Sequence, residues 1–428
     1  IKDNIEAVQG TYPATLGLIE LTALIVPHYS RYSHNGGGSG HVHLTAYVWD
    51  LLRWTVDTFL SYSSWRYQKR IERWHIGVAL LRVFQAVLTS PTFVGRSPGA
   101  TSPRHYLHNL FLANSGFQQA LFVPIVIGQD VTDQLNRERK ASELLVLDEL
   151  ILQTFSLINF ILSGQDRMPK GLDLTLNLIF PGSSFGVIQC IANYASYNLR
   201  QIKVLAVETI TLLCRPGPSE RIFHLAGHLG PVVAKFRDSC VQSLVSRVVH
   251  VPLRQAVLEL VATALDYQPA LAELFVRITS LQQESKKPYG ADSVLDPVIA
   301  YLSDTPQLFT TQPGILARVL HILLGLWDSR SFDTVSTYLK GLPDFWKHIT
   351  HALQSNVANP SQPGLDSMDV SNRAAGILQF CYQQEVRSFA LRLVGAEVYN
   401  GNGSTVEDPT LSAEIKSFFS RFQYQQWL

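Results

Sequence analysis

The chain has 428 residues, 46% of them hydrophobic and only 16% charged, and its 35 Lys and Arg against 34 Asp and Glu leave a net charge of +1. That much apolar material excludes a disordered tail, and the near balance of charge excludes a general phosphate-binding protein. The charged fraction lies well below the roughly 25% usual for soluble domains, so the chain buries much of itself, sits partly in a membrane, or is covered by partners.

From the N-terminus onward the apolar positions recur with helical period. Helices are predicted over 13–26, 42–62, 70–89, 104–122, 130–163, 185–197, 199–213, 219–229, 231–249, 252–266, 269–284, 292–303, 313–328, 331–340, 343–355, 368–399 and 410–427. Leu144, Leu147, Ile151, Thr154, Ile158 and Ile161 make one stripe; Leu253, Ala256, Val257, Leu260, Val261, Ala264 and Leu265 make another, with Pro252 in its first turn. Breakers stand between the helices at Pro91, Pro169, Pro216 with Pro218, Pro231, Pro269, Pro306, Pro313 and Pro343. Loops are expected near 30–41, 89–103, 283–291, 356–367 and 400–409, the first containing the glycine-rich His34 to Gly40. None is long enough to demand a separate domain, so residues 1–428 read as a single helical segment.

Two stretches carry no charge, His105 to Gln129 and Leu174 to Leu199. Both reach the about 20 residues a bilayer needs. Asn109, Asn114, Gln118, Gln119 and Pro124 in the first, and Asn177, Pro181, Gln189, Asn193 and Asn198 in the second, mark them instead as buried helices, so no transmembrane segment is expected. No signal-peptide pattern opens the chain, and its start at Ile1 reads as that of a fragment. Cys190, Cys214, Cys240 and Cys381 form no CxxC pair and fit no zinc spacing. Each lies among apolar residues, which predicts reduced core thiols and an intracellular protein despite the sequon at Asn402.

A weak repeat appears mid-chain. Leu199-Arg200-Gln201 and Leu253-Arg254-Gln255 each open a helix, and Ile202, Ala206, Val207 and Ile210 then match Ala256, Leu260, Val261 and Ala264. Helix pairs repeating at about 40 residues or more are the signature of HEAT or armadillo-like solenoids. The expected fold is therefore all-α, a superhelical α-solenoid of stacked helix pairs; the rival is a compact irregular helical domain.

Several local patterns suggest chemistry. Gly182-Ser183-Ser184-Phe185-Gly186 matches the GxSxG nucleophile elbow, preceded by a strand-like alternation through Leu172, Leu174, Leu176 and Leu178. The elbow needs a parallel sheet, no other strands are apparent, and Pro181 is awkward before the glycine, so a polar loop with Ser183 or Ser184 as N-cap is the simpler reading. His224 and His228 have zincin spacing on a predicted helix, but Leu225 stands where the general-base Glu belongs. His348 and His351 share a face without a carboxylate pair, and His34, His41 and His43 flank the glycines at 36–38 and 40, a weak metal candidate. No Gly-Lys-Ser/Thr follows those glycines, so they form no P-loop. The basic, aromatic run Trp65 to Trp74 could stack on a nucleic-acid strand, but its rings fit a core with Arg and Lys snorkelling outward. No catalytic, cofactor or metal residue is assigned.

Read together and in order, several segments carry a resemblance. Thr11-Tyr12-Pro13-Ala14-Thr15-Leu16 opens an apolar helix, and Trp65-Arg66-Tyr67 precedes a helix through Ile76, Leu80, Leu81, Phe84 and Leu88. Ile191-Ala192-Asn193-Tyr194, Ile202-Lys203-Val204-Leu205-Ala206, Ala256 to Val261, Gln268 to Phe275 and Asp344-Phe345-Trp346 follow. From about residue 11 to the end this order resembles the large scaffold nucleoporins of the nuclear pore inner ring. The Tyr-Pro opening is shared by both branches of that family; the Gln-Pro…Glu-Leu-Phe stretch and Phe-Trp favour the 188-kilodalton branch over the 192/205-kilodalton one.

The resemblance implies an internal segment of a much longer α-solenoid, related in shape to nuclear transport receptors, without enzymatic activity. It implies a nuclear-envelope location at the nuclear pore complex and a role in nucleocytoplasmic transport. The implied partners are other nucleoporins, held through short linear motifs of linker nucleoporins, with phenylalanine-glycine repeats and transport receptors as further candidates, and no nucleic acid. The best-known linker site of the family lies toward its far C-terminal end, so no binding residue is carried over. Physical reasoning agrees, because grooves between stacked helix pairs accept an amphipathic helix or an extended apolar peptide. Two alternatives remain: a transport-receptor-like HEAT/armadillo adaptor, which calls for an acidic inner face, and a serine hydrolase using Ser184.

Overall fold

A computed structural model describes residues 5–32, 40–90, 103–113, 115–164, 186–217, 224–246, 248, 250–278, 287–290, 292–355, 357, 370–400, 413 and 415–416. Among the described residues the structure is helical throughout, with no strand beyond an isolated antiparallel bridge between Ile278 and Tyr289. The chain divides into two compact units, Ile1–Phe223 with Gly227–Val232, and His224–Ala226 with Val233–Leu428.

The first unit contains α1 (Pro13–Tyr32), α2 (Gly40–Ser61), α3 (Arg70–Thr89), α4 (Pro103–Ala113), α5 (Ser115–Glu138), α6 (Ala141–Gly164), α7 (Val187–Asn193) and α8 (Arg200–Cys214). Helices α1, α3, α6 and α8 pack side by side in one row. Helices α2, α5 and α7 form a second row against it, and α4 leans on α3 and α5. A helix with neighbours on both flanks must be apolar nearly all round. Helix α3 meets that demand, burying Trp74, Ile76, Val78, Leu80, Leu81, Val83, Phe84, Val87 and Leu88. Helix α6 is long and apolar enough to cross a membrane by length and composition. One face of it, with Leu147, Ile151, Phe155, Ile158 and Ile161, is buried where it packs on α3, α5 and α8, while Leu145 is exposed.

The five-residue α9 (Leu225–Leu229) lies at the division of the two units. The second unit contains α10 (Val233–Val245), α11 (Val251–Tyr267), α12 (Pro269–Val276), α13 (Leu295–Ser303), α14 (Thr305–Thr311), α15 (Pro313–Asp328), α16 (Asp333–Lys340), α17 (Phe345–Gln354) and α18 (Val370–Asn400). Here α11, α15 and α18 form the row, α10 and α12 lie against α11, and α13, α14 and α17 make the second layer. Each unit is thus an all-α stack of paired layers, the solenoid pattern. The two halves of the mid-chain repeat occupy α8 and α11, and all eight matched apolar positions are buried.

Several expectations are corrected. The predicted break at 123–129 does not occur, because α5 runs unbroken through a buried Pro124. One missing N–H is tolerated where Phe117, Leu121, Ile125 and Gly128 bury the same helix. The real stop is at Arg139, whose φ of 55° is left-handed. Arg139 N–H donates to Asn136 at 3.2 Å and Lys140 N–H to Leu135 at 3.0 Å, a Schellman closure with arginine in glycine's usual place. Arg70 then clamps the turn from α3, reaching Glu138 at 2.5 Å and Glu143 at 2.6 Å. Helix α14 lies outside the predicted helices, because Pro306 opens a helix there rather than ending one. The helix expected over 269–284 ends at Val276, where Arg277 adopts a φ of 51°.

Cys214 and Cys240 are buried and Cys190 is half-buried, but Cys381 is exposed on α18 rather than in a core. Burial pushes the Cys214 thiol up to about 12. Most of the expected loops near 30–41, 89–103, 283–291, 356–367 and 400–409 lie outside the described residues. So does most of the helix expected at 410–427, of which 413, 415 and 416 are helical.

Candidate partner-binding grooves

The start of α1 and the segment leading into α3 are tied together. Gly10 sits at φ 71° and accepts a hydrogen bond from the Gln68 main chain at 2.7 Å. A Cβ there would stand 3.1 Å from the Gln68 nitrogen, so both the backbone angle and the close approach call for glycine. Two residues on, Tyr12 donates its hydroxyl hydrogen to the Arg66 carbonyl at 3.0 Å. Its ring packs 4.8 Å from Trp65 and 5.1 Å from Tyr67, centroid to centroid. Tyr67 donates in turn to the Tyr62 carbonyl at 2.7 Å, and the Arg73 guanidinium lies over the Tyr67 ring.

Glu6, itself buried, caps α1 from seven positions before Pro13. It accepts from the Ala14 N–H at 2.7 Å and from the Thr15 N–H and hydroxyl. Burial raises the Tyr12 pKa, and the charges of Glu6 and Glu72 raise it further. The rings of the basic, aromatic run are therefore spent on internal packing, as the core reading of that run expected.

Beside this clasp, α1 and α3 enclose a groove of about 250 Å³. Tyr12, Pro13, Leu16 and Ile76 supply its apolar surface, with Glu72 and His75 on the α3 side. Glu72 occupies the first turn of α3, where a carboxylate is favoured by the helix N-terminus. Its Oε2 is buried, with no hydrogen-bond partner among the described residues.

A second, wider groove of about 510 Å³ lies between α2 and α4. Trp49 and Tyr106 meet edge-on there at 5.6 Å, and the Arg53 guanidinium lies 5.9 Å from the Trp49 centroid. Asp50 completes the lining with a charge opposite to that of Arg53. Both grooves can seat a single bulky side chain of a peptide. The residues of the first were visible in the sequence as the Tyr-Pro opening; nothing in the sequence paired Trp49 with Tyr106.

The residues weighed for chemistry are not brought together. Gly182 to Phe185, with Ser183 and Ser184, and His34 with Gly36 to Gly38, lie outside the described residues. His41 and His43 fall in the first turn of α2. His224 precedes α9 and His228 lies within it, so the predicted shared helical face does not form. His348 and His351 both lie on α17; burial lowers the His348 pKa, and His351 contacts the Ser355 hydroxyl at 3.1 Å. Among the described residues no group of three or more His, Cys, Asp and Glu could hold a metal ion.

Comparison with known proteins supplies the remaining finding. A family profile described as Nucleoporin Nup188, N-terminal subdomain III, matches residues 1–279. Nucleoporin NUP188 of Xenopus tropicalis is 23% identical over 437 residues, an alignment covering 99% of this chain and 23% of the relative. The human and mouse proteins of the same name are each 22% identical, with the same coverage. The chain thus spans about a quarter of the length of the curated relatives it matches.

Proposed function

Because the chain belongs to the Nup188 family of nucleoporins, we propose that it is a non-enzymatic scaffold segment of the nuclear pore inner ring that holds partner nucleoporins through short linear motifs. A nucleoporin is a constituent of the nuclear pore complex, which places the chain at the nuclear envelope. The observation that carries the reading is the match to the family profile over residues 1–279, on a chain whose two units are each stacks of paired helices. Stacked pairs leave grooves between neighbouring helices, and a linker peptide anchors in such grooves by one or two bulky apolar side chains. The clefts at Tyr12–Ile76 and Trp49–Tyr106 are of that kind. Binding of phenylalanine-glycine repeats and transport receptors, and through them a contribution to nucleocytoplasmic transport, belongs to the same reading.

Proximity labelling from the full-length parent tests it. Inner-ring nucleoporins should dominate the labelled set; recovery of cytosolic proteins alone would defeat the proposal. A pull-down against pore components with the 428-residue chain and the full-length parent then shows whether this segment binds by itself.

A further inference from the structure

We propose that the groove between α1 and α3 takes a short peptide carrying an aliphatic side chain next to a lysine or arginine, the aliphatic group seated on Tyr12, Leu16 and Ile76 and the cation paired with Glu72. The inference rests on the linear-motif reading and names the chemistry of one motif. Three observations carry it. The groove is apolar along Tyr12, Pro13, Leu16 and Ile76, and its volume of about 250 Å³ suits one aliphatic side chain with its flanking backbone. Glu72 is the carboxylate of its lining, and among the described residues no lysine or arginine joins it there, so the groove complements a cation.

The third observation is that Glu72 makes no ion pair among the described residues, although Arg70 and Arg73 stand within two positions of it. Arg70 is committed to Glu138 and Glu143 of the α5–α6 turn, and the Arg73 guanidinium is stacked on the Tyr67 ring rather than paired with a carboxylate. Glu72 lines the groove beside its apolar surface, where its carboxylate can accept from a donor brought with the peptide. The floor of the groove is rigid, because Tyr12 is fixed by the Arg66 carbonyl and two rings, so little ordering cost falls on the protein side.

The experiment uses the 428-residue chain and three fluorescein-labelled 12-residue peptides read by anisotropy. One has a central leucine flanked by lysines, one has the same leucine flanked by glutamates, and one has the lysines with serine in place of leucine. The lysine–leucine peptide should bind, and the other two should bind at least about tenfold more weakly, as expected when charge sign and anchor both discriminate. Glu72→Gln, which keeps the shape of the side chain, should weaken the first peptide about fivefold and remove most of its salt dependence. Leu16→Glu should abolish the preference for leucine. Circular dichroism of both variants confirms that the fold is retained.

Equal binding of the acidic and basic peptides overturns the proposal, as does unchanged binding to Glu72→Gln or no binding of the lysine–leucine peptide to the unaltered chain. Proximity labelling from full-length protein carrying Glu72→Gln separates the two readings. Retained inner-ring neighbours alongside failed peptide binding would sink this groove and leave the scaffold role standing.

Discussion

Tyr12 donates a hydrogen bond to the main-chain carbonyl of Arg66 at 3.0 Å, joining positions 54 residues apart in sequence. The bond closes the first helix of the stack onto the segment that launches α3. The rings of Trp65 and Tyr67 pack on the Tyr12 ring beside it. Tyr12→Phe should keep the ring packing and lose the bond, costing about 1 kcal/mol. Tyr12→Ala should lose both, costing about 3–5 kcal/mol. Because the chain falls into two units, one global transition is a poor readout. Hydrogen exchange resolved to α1 and α3 is the right one, with protection falling in the order wild type, Tyr12→Phe, Tyr12→Ala. Unchanged protection in Tyr12→Ala would mean that the clasp does not hold α1.

Gly128 tests the packing between the two rows of the first unit. A Cβ added there would collide with the Tyr194 hydroxyl and approach Ile151 Cδ1 to 2.9 Å. Tyr194 cannot yield easily, because it is fully buried and its hydroxyl donates to the Ile125 carbonyl at 3.0 Å. Gly128→Ala should therefore destabilise the unit by about 1–3 kcal/mol despite alanine's better helix propensity. Adding Tyr194→Phe removes the colliding oxygen and should recover part of the loss. Hydrogen exchange in α5 and α6 of the two single variants and the double variant checks this, and strict additivity would refute the collision.

Helix interiors were legible in the sequence wherever proline or a sharp polarity change marked the ends. Helices α3 and α15 run over the residues that periodicity predicted, 70–89 and 313–328. What escaped was set by chemistry that leaves no compositional trace. Arg139 and Arg277 close helices in a left-handed conformation that sequence reading assigns to glycine. Pro124 sits inside a helix because the surrounding burial outweighs one lost hydrogen bond. The grooves escaped for a different reason. Tyr12 and Trp65 each belong to a segment that carries the family resemblance, but spacing along the chain holds no information that they touch. Trp49 and Tyr106 stood out in no pattern at all.

Arg318 joins the row of the second unit. From α15 it pairs with Glu259 of α11 and, at 2.7 Å, with Glu385 of α18. Burial pulls its pKa down, but the two carboxylates outweigh this and the net direction is up. The side chains keep partial exposure, 15% for Arg318 and 25% and 35% for its partners, so solvent screens the cluster. Arg318→Met leaves two carboxylates facing each other without a cation and should cost about 1–2 kcal/mol at neutral pH. Raised salt screens the repulsion and should narrow the gap. Hydrogen exchange in α11, α15 and α18 of wild type and variant at low and high salt decides the matter, and a gap independent of salt would show that the loss is one of packing alone.

His108 gives the first unit a dependence on acid. It lies on α4 at 3% exposure, and among the described residues neither ring nitrogen has a hydrogen-bond partner. Burial, with smaller contributions from the charges of Arg104 and His105, pushes its pKa from 6.5 down to about 4. The folded state therefore holds the ring neutral, while the unfolded chain takes up a proton once the pH drops below about 6.5. The sign follows: stability is full above that value and falls steadily as the pH is lowered toward 4, because the unfolded state binds more protons over that window. The loss amounts to about 2–3 kcal/mol across it. Many carboxylates titrate over the same range, so the informative quantity is the difference between wild type and His108→Leu. The variant should lack this share of the acid sensitivity, and its stability relative to wild type should rise as the pH falls from 7 to 4.5. Hydrogen exchange in α4, followed over that range for both proteins, measures it directly. Parallel pH profiles would show that the buried imidazole finds a partner once it is charged.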